Sequence, residues 1–250
     1  MNQKAKELGL VNSNFVTPHG LDDPNHYTTA YELALLTDYA LKNPTFSQIV
    51  NTKTITVSCG NIVKTISNTN ELLGNYEGVY GVKTGFTFGA GRCLVTACKK
   101  NNMDIILVVI GASTKKNRTT DSIKVLNYVF DNFENYDIHN LIYDNFDNFK
   151  DYFLKNSIIE KSTDTCILEI SKPINTLFPL RKNEISNIDF NTFSITKLSA
   201  PLFTNTKIGV CHIKVDNDIL MSLDILLKNN INKKTWKTYY IESLQNFFKL

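Results

Sequence analysis

The strongest pattern in the chain lies in residues 78–112, GVYGVKTGFTFGAGRCLVTACKKNNMDIILVVIGA. Apolar and β-branched residues concentrate there in three runs, at about 79–87, 92–100 and 104–112, with short glycine-rich or asparagine-rich links between them. Neighbouring strands joined by such short links pair antiparallel, because a parallel pair needs a crossover of about a dozen residues. The segment therefore predicts an antiparallel meander.

Helix and turn signals precede and follow the meander. Thr29 and Glu32 predict a capping box at the start of one helix, and residues 44–50, with proline first, predict a short second helix. Residues 53–67 are typical of a β-hairpin, and residues 118–133 predict an amphipathic helix that packs on the sheet. Helices are thus expected to flank the antiparallel sheet.

The chain is predicted to contain three parts. Residues 1–135 form an α+β domain with an antiparallel sheet between helices. Beyond a boundary between residues 135 and 155, short β-branched runs alternate with Asn, Asp and Pro turns, which predicts a small β-rich domain over residues 136–231. Residues 232–250 predict an amphipathic C-terminal helix.

Two interpretations of the helix at residues 232–250 stay open. A basic helix with an aromatic face can lie at a membrane surface, with its rings at the level of the lipid headgroups. Alternatively, the same helix packs on its own domain. The residues concerned are the aromatic or apolar Trp236, Tyr239, Tyr240, Leu244, Phe247 and Phe248, and the cationic Lys233, Lys234, Lys237 and Lys249.

Composition restricts the classes of function. Of the 250 residues, 42% are hydrophobic and 20% are charged, and the net charge of +3 is too small to indicate a nucleic-acid partner. The five cysteines form no Cys-x-x-Cys pair, so we predict no metal site, disulfide framework or cofactor. No apolar run approaches the roughly 20 residues of a membrane span, and the first residues do not have the apolar core of a signal peptide.

Lys83, Thr84, Gly85 and Phe86 are the candidate substrate-binding residues. A lysine ammonium beside a threonine hydroxyl suits a terminal carboxylate, through charge-assisted hydrogen bonds. A glycine lets a peptide approach the strand without meeting a Cβ, so that the peptide docks as an added strand. The backbone N–H of Phe86 can supply half of an oxyanion hole.

Three segments of the chain resemble one protein family. Residues 12–50, residues 68–76 (NTNELLGNY) and residues 78–112 are similar to the penicillin-recognising D-alanyl-D-alanine carboxypeptidases, which are low-molecular-weight penicillin-binding proteins. The similarity runs almost continuously over residues 1–135. It implies part of a β-lactamase/transpeptidase-like catalytic domain, followed by a stalk domain and an amphipathic membrane anchor. It also implies hydrolysis of the terminal D-Ala of the peptidoglycan stem peptide through an acyl-serine, with inhibition by β-lactams.

The resemblance gives roles to four residues. Lys83, Thr84 and Gly85 match the family's third motif. Lys83 would polarise the site and hold the carboxylate of the D-Ala-D-Ala end, and Thr84 would donate a hydrogen bond to it. The N–H of Phe86 would contribute to the oxyanion hole, a role that tolerates different side chains at this position.

The family's other two motifs precede the Lys-Thr-Gly triplet, and this chain does not show them there. They are Ser-x-x-Lys, which carries the nucleophile, and Ser-x-Asn, which completes proton transfer. The sequence contains no Ser-x-Asn, and its two Ser-x-x-Lys matches, Ser113/Lys116 and Ser194/Lys197, follow the triplet and are interpreted as chance. Some relatives bind the carboxylate with an arginine after the last strand. Ser113 stands at that place, and whether Arg118 replaces the arginine is left open.

The resemblance therefore implies a chain that begins inside the catalytic domain and is inactive alone. The parent protein is expected to be exported and membrane-associated, with the nucleophile and further strands in a missing N-terminal half. Without those strands, the apolar faces of residues 93–100 and 105–112 are predicted to lose cover. Residues 1–135 alone are then predicted to be poorly stable. The free energy lost when a few large apolar side chains are exposed is comparable to the whole free energy of unfolding of a domain.

Two other function classes are kept beside the carboxypeptidase. A non-catalytic module of the cell wall or membrane would bind D-Ala-D-Ala peptides or liposomes without turnover. A β-lactamase of the same superfamily would hydrolyse nitrocefin. The β-rich domain and the anchor-like tail favour the carboxypeptidase over the β-lactamase.

The loop TPHGLDDPNHY, residues 17–27, holds further polar candidates. His19 and His26 suggest a metal site or a general base, but no third ligand accompanies them at metal spacing, so histidines that anchor turns are favoured. Asp22 and Asp23 are adjacent and are interpreted as solvated turn carboxylates.

Overall fold

The computed structural model describes residues 1–156, 159, 162, 164–195 and 198–248. It divides into two compact units, Met1–Glu134 and Asn135–Leu250. The first unit contains helices α1 (Asn2–Glu7), α2 (Ala30–Leu41), α3 (Pro44–Val50) and α4 (Lys115–Asn132). Its strands are β1 (Thr54–Cys59), β2 (Ile62–Ser67), β3 (Val79–Thr87), β4 (Gly91–Lys100) and β5 (Met103–Ala112). The predicted α+β class is confirmed.

The meander is present as predicted. Strands β3, β4 and β5 pair antiparallel in that order, with Lys83 opposite Val95 and Phe86 opposite Arg92. The β4–β5 turn has positive φ angles at its two asparagines, 50° and 62°. Asparagine tolerates this left-handed backbone, which suits a two-residue hairpin turn.

Helices cover strand β4 on both faces. Leu94 and Cys98 pack in one cluster with Leu126 of α4, whereas Ala97 packs in another with Val50 of α3. Because side chains alternate along a strand, these clusters lie on opposite faces. The prediction that the apolar faces of the sheet are uncovered is therefore wrong for β4. On the outer strand β5, residues 105–109 are half-buried.

The predicted capping box forms only in part. The Thr29 hydroxyl accepts a hydrogen bond from the N–H of Glu32, as expected. The Glu32 carboxylate, however, accepts hydrogen bonds from the N–H of Asn12 and the hydroxyl of Ser13. Glu32 is 4% exposed, so it ties the preceding loop to α2 instead of closing the box.

Within its described residues, the second unit combines a four-stranded antiparallel sheet and a two-stranded sheet with two helices. Strand β6 (Phe133–Asp137) spans the division and pairs with β8 (Leu177–Arg181). The larger sheet has the order β7 (Leu168–Ile170), β11 (Asp218–Leu227), β10 (Lys207–Val215), β9 (Ile188–Ile195). A 3-10 turn covers Ile185–Asn187, and the helices are α5 (His139–Asn156) and α6 (Trp236–Phe248).

Helix α5 was not predicted from the sequence. It is rich in Asn, Asp and aromatic residues, which have low intrinsic helix propensity. Ile142 and Phe146 recur at helical spacing and are buried in the core with strand residues such as Ile213 and Ile225. Apolar spacing, rather than propensity, is the signal that identifies this helix.

Helix α6 exposes most of its aromatic residues. The side chains of Trp236, Phe247 and Phe248 are 73%, 73% and 79% exposed. Lys234 forms an ion pair with Glu242 at 2.7 Å, and Lys249 of the predicted basic face lies outside the described residues. Within the described part of the chain, no helix has the length and apolar character needed to cross a membrane.

Candidate active site

Strand β3 brings Lys83, Thr84, Gly85 and Phe86 to one groove. β3 is the outer strand of its sheet, so one of its edges is not paired with another strand in the part of the chain that the structure describes. All four residues line an open groove of about 940 Å³ in the first unit, together with residues 15, 17–21, 26, 68, 69 and 71 and with Lys115 and Arg118 of α4. An unpaired strand beside a groove offers backbone groups to an extended peptide.

The Lys83 ammonium has no acidic partner among the described residues. The side chain is exposed, and it donates a hydrogen bond to the backbone carbonyl oxygen of Thr84. A carbonyl is a neutral acceptor, so a carboxylate that displaces it gains a stronger, charge-assisted bond. Lys83 is thus available to an anionic ligand.

The Thr84 hydroxyl is positioned by the preceding loop. It lies 2.6 Å from the hydroxyl of Thr69. Asn68 and Asn70 flank Thr69 and hold its backbone: the Asn70 amide donates to the carbonyl of Gly81 at 2.8 Å, and the Asn68 side chain accepts from the N–H of Asn70 at 2.9 Å. Sequence reasoning missed the role of Thr69, although two asparagines at this spacing are typical of such side-chain turns.

Glu71 joins the groove to helix α4. Its carboxylate pairs with Lys115 at 2.6 Å and with Arg118 at 3.2 Å, and accepts a hydrogen bond from Thr119 at 2.7 Å. The Lys115 hydrogen bond is the main reason that the pKa of Glu71 lies below its ordinary value, with burial acting in the opposite direction. Arg118 is 3% exposed and forms an ion pair with Glu71. We therefore interpret Arg118 as a residue with a structural role.

The groove is cationic. Among the described lining residues, four cationic side chains, Lys83, Arg92, Lys115 and Arg118, stand against the carboxylate of Glu71. Arg92 stacks on the ring of Phe86, with 3.7 Å between the guanidinium carbon and the ring centroid. Sequence reasoning missed Arg92 and Glu71, because neither contact is visible as a local pattern. The excess of positive charge favours an anionic ligand.

Gly85 leaves free space in the groove. A Cβ built on Gly85 would lie 3.7 Å from the Cβ of Cys93, which is an ordinary contact. The fold itself therefore has room for a side chain at Gly85. Packing within the described residues therefore does not require glycine at this position.

The loop histidines anchor turns. The Nδ1 atom of His19 accepts a hydrogen bond from the N–H of Leu21 at 3.2 Å, and that of His26 accepts from the N–H of Val16 at 3.3 Å. Asp22 is less free than expected, since it accepts a hydrogen bond from the N–H of Gly89 in the β3–β4 turn at 3.3 Å. Among the described residues, no cluster of His, Cys, Asp and Glu has the composition of a metal site.

The described residues that line the groove include no serine. The Ser113 hydroxyl accepts a hydrogen bond from Asn117 at 3.0 Å, just before α4. Ser194 lies on β9 in the second unit, and Lys197 lies outside the described residues. Within the first unit, neither Ser113 nor Lys116 is among the described residues that line the groove.

Comparison with known proteins gives the same family for both units. A family model described as D-alanyl-D-alanine carboxypeptidase matches residues 1–114, and one described as penicillin-binding protein 5, C-terminal domain, matches residues 150–233. The D-alanyl-D-alanine carboxypeptidase DacF of Bacillus subtilis is 31% identical over 251 residues, a match that covers 100% of this chain and 62% of that protein.

Two crystal structures share the fold. The D-alanyl-D-alanine carboxypeptidase DacD from Francisella tularensis has a TM-score of 0.68 at 21% identity, over 93% of this chain and 67% of that one. Penicillin-binding protein 5 from Haemophilus influenzae has a TM-score of 0.66 at 27% identity, over 93% and 64%. The sequence resemblance is confirmed, because both matched regions are similar to low-molecular-weight penicillin-binding proteins, and the chain spans about 62% of the length of its Bacillus subtilis relative.

Proposed function

We propose that the groove binds the D-Ala-D-Ala end of a peptidoglycan stem peptide and forms the carboxylate-binding side of a serine-type carboxypeptidase site. The observation that carries this proposal is the Lys83 ammonium, which is exposed on the outer strand of the sheet and has no acidic partner among the described residues. β-Lactams, which mimic D-Ala-D-Ala, are proposed to occupy the same groove.

The substrate docks along β3 as an added strand. Its terminal carboxylate takes the place of the Thr84 carbonyl at the Lys83 ammonium and accepts a hydrogen bond from the Thr84 hydroxyl. The N–H of Phe86 then stabilises the oxygen of the reacting carbonyl. Attack by a serine Oγ on the penultimate D-Ala carbonyl forms an ester and releases the terminal D-Ala, which takes up the serine proton. Water later hydrolyses the ester.

No Ser-x-x-Lys pair precedes Lys83 in these 250 residues, and none of their serines is assigned as the nucleophile. This assignment is supported by the groove, where none of the described lining residues is a serine. The 250-residue chain alone is therefore proposed to bind substrate without turnover. The chain alone would then bind its ligand without turnover, like the non-catalytic module considered as an alternative function. Its sequence similarity, however, is to the carboxypeptidases.

Peptide binding tests the proposal directly. The chain is titrated with diacetyl-L-lysyl-D-Ala-D-Ala, and the dissociation constant is followed by NMR shifts of amides in β3. Lys83→Gln is expected to weaken binding by about tenfold or more, the size of a lost charge-assisted bond. Lys42→Gln is the matched control, because Lys42 pairs with Asp38 and does not line the groove. Equal binding by wild type and Lys83→Gln would contradict the proposal.

Covalent labelling tests the assignment of the nucleophile. Fluorescent penicillin is expected to leave the 250-residue chain unlabelled. Labelling is expected once the chain is fused to a segment of a relative that carries Ser-x-x-Lys and Ser-x-Asn. Labelling of the chain alone would contradict the assignment, and rapid nitrocefin turnover by the fusion would identify a β-lactamase instead.

Helix α6 is proposed to lie on a membrane surface, which would place the protein at the outer face of the membrane, as its family implies. The exposed aromatic residues of α6 and the lysines before it support this placement. Co-sedimentation with vesicles containing anionic phospholipid is expected for the wild type, and to fall after Trp236→Ser with Phe247→Ser. Ile174→Ser, at a residue 104% exposed elsewhere in the second unit, is the matched control. Equal sedimentation of all three proteins would contradict the placement.

A further inference from the structure

We infer that Arg92 forms a second anion-binding subsite in the groove, which selects peptides that carry a carboxylate on the acyl side of the scissile bond. The inference rests on the proposed function, because it takes the direction of the peptide from Lys83 and Phe86. It adds a substrate class to that function: donors with an acidic side chain before D-Ala-D-Ala.

Arg92 is held in a fixed orientation by an aromatic ring. It lies near the start of β4, directly opposite Phe86 of β3. The guanidinium carbon is 3.7 Å from the centroid of the Phe86 ring, so the guanidinium rests on the ring face. Stacking fixes one face of the guanidinium and leaves its N–H groups, which point outward in the guanidinium plane, free to bind a ligand.

The Arg92 guanidinium has no partner other than this ring within the described residues. No ion pair and no side-chain hydrogen bond is formed by Arg92 there, although the residue is half-buried and lines the groove. Lys115 and Arg118 differ, because each of them is paired with the carboxylate of Glu71. Among the described lining residues, Arg92 and Lys83 are therefore the cationic side chains without a carboxylate partner, and both are available to an anionic ligand.

The direction of the bound peptide places its acyl side at Arg92. The terminal carboxylate lies at Lys83 and Thr84, and the reacting carbonyl lies at the N–H of Phe86. Thr84 and Phe86 are two residues apart on the strand, which is about 7 Å. A peptide that ends at Thr84 and reacts at Phe86 runs antiparallel to β3, so its preceding residues extend toward Thr87 and pass the Phe86–Arg92 pair.

A carboxylate is the group that this guanidinium recognises best. Two parallel N–H groups of an arginine match the two oxygens of a carboxylate, and the planar fork gives geometric selectivity that a single ammonium does not give. A neutral side chain at the same position gains only contact with the Phe86 ring. The subsite thus separates acidic from neutral donors that share the same D-Ala-D-Ala end.

Two acetylated tripeptides test the subsite. One carries L-2-aminoadipate before D-Ala-D-Ala, and the other carries Nε-acetyl-L-lysine, which is neutral. The 250-residue chain is expected to bind the aminoadipyl peptide about tenfold more tightly, as one charge-assisted contact allows. Arg92→Gln is expected to bring the two dissociation constants within about twofold of each other, without changing that of the neutral peptide.

Three further variants separate the subsite from the proposed function and from misfolding. Arg92→Lys keeps the charge and is expected to keep part of the preference, and Phe86→Leu, which leaves the backbone N–H intact, is expected to reduce it. Lys83→Gln should weaken both peptides by the same factor. If the wild type binds both peptides equally and Lys83→Gln weakens both, the subsite is overturned while the proposed function stands. If neither peptide binds the wild type, both are overturned.

Discussion

The two units use their apolar residues in different ways. In the second unit, residues from α5 and the large sheet share one core, in which Ile138, Ile213 and Ile225 are fully buried. In the first unit, the described core residues fall into two separate clusters around β4, and the β1–β2 hairpin leaves Ile62 and Val63 70% exposed. The second unit is built for stability, whereas the first leaves strand edges and a cationic groove open.

This difference agrees with the expected division of tasks. A groove that receives a peptide along a strand needs an unpaired edge and polar side chains, and neither adds much to a core. In the second unit, the described core residues are buried in one place. Four predictions test this difference between the units, and the variant expected to change stability most comes first.

Removing core atoms should affect the second unit strongly. Ile213→Ala deletes a side chain that is 0% exposed, and is expected to lower the free energy of unfolding of that unit by about 2–5 kcal/mol. Ile62→Ala in the hairpin of the first unit should change it by less than about 0.5 kcal/mol. Urea unfolding, followed by probes in each unit, measures both changes. Similar losses for both variants would show that the hairpin is covered in solution.

Two glycines of the first unit should respond in opposite ways. Gly78 has a φ of 85°, and an added Cβ would lie 2.3 Å from the carbonyl oxygen of Lys99. Gly78→Ala is therefore expected to cost about 1–3 kcal/mol in backbone strain, and more from the steric overlap. Gly85→Ala meets no such overlap, so it should leave the unfolding midpoint nearly unchanged while it prevents peptide binding. Unimpaired peptide binding by Gly85→Ala would show that the peptide does not approach this edge.

High pH should destabilise both units through their buried thiols. Burial raises the pKa of Cys98 in the first unit and of Cys211 in the second to about 11. In the unfolded chain a thiol titrates near 8.5. Because the folded pKa is raised, the stabilising effect is complete below the unfolded pKa and is lost as the pH rises through about 11. The loss is up to about 3 kcal/mol for each thiol.

Cysteine variants test whether these thiols cause the loss of stability at high pH in each unit. Cys98→Ala should flatten the dependence of stability on pH between about 9 and 11 in the first unit, and Cys211→Ala should do so in the second. Cys59→Ala, at an exposed thiol, is the control. An unchanged slope in both buried-cysteine variants would contradict the assignment.

Protonation of Glu71 at low pH should have a smaller effect, on the stability of the first unit. The pKa of Glu71 is lowered mainly by the Lys115 hydrogen bond, so the stabilising effect is present above the unfolded pKa and is lost as the pH falls through the folded pKa. Glu71→Gln should remove about 1 kcal/mol at neutral pH, because the carboxylate is partly exposed, and should flatten the acid side of the profile. Glu77→Gln is the control, since Glu77 is 80% exposed in its pair with Lys100. Equal acid profiles for the Glu71→Gln variant and the wild type would contradict the role of Glu71.

The sequence predicted the local features of the fold and fewer of its distant contacts. The meander, the short helix begun by Pro44 and the positions of Lys83 to Phe86 follow from strand period and from turn and helix signals, which lie within a few residues. The Glu71–Arg118 pair joins residues 47 apart, and no pattern in the chain marks its partners. Glu32 shows most clearly what the sequence does not predict. Its N–H bonds Thr29 as the capping pattern predicts, but its carboxylate accepts hydrogen bonds from residues 12 and 13.

The β1–β2 hairpin has a consequence for how the protein behaves when it is concentrated. Its pairing puts Ile55, Val57, Cys59, Ile62 and Ile66 on the same face, and all are exposed. Copies that associate through this face to withdraw it from water bring their Cys59 thiols together. Under oxidising conditions, we expect such associations to become permanent through disulfides between chains, so that a reducing agent determines whether aggregation can be reversed.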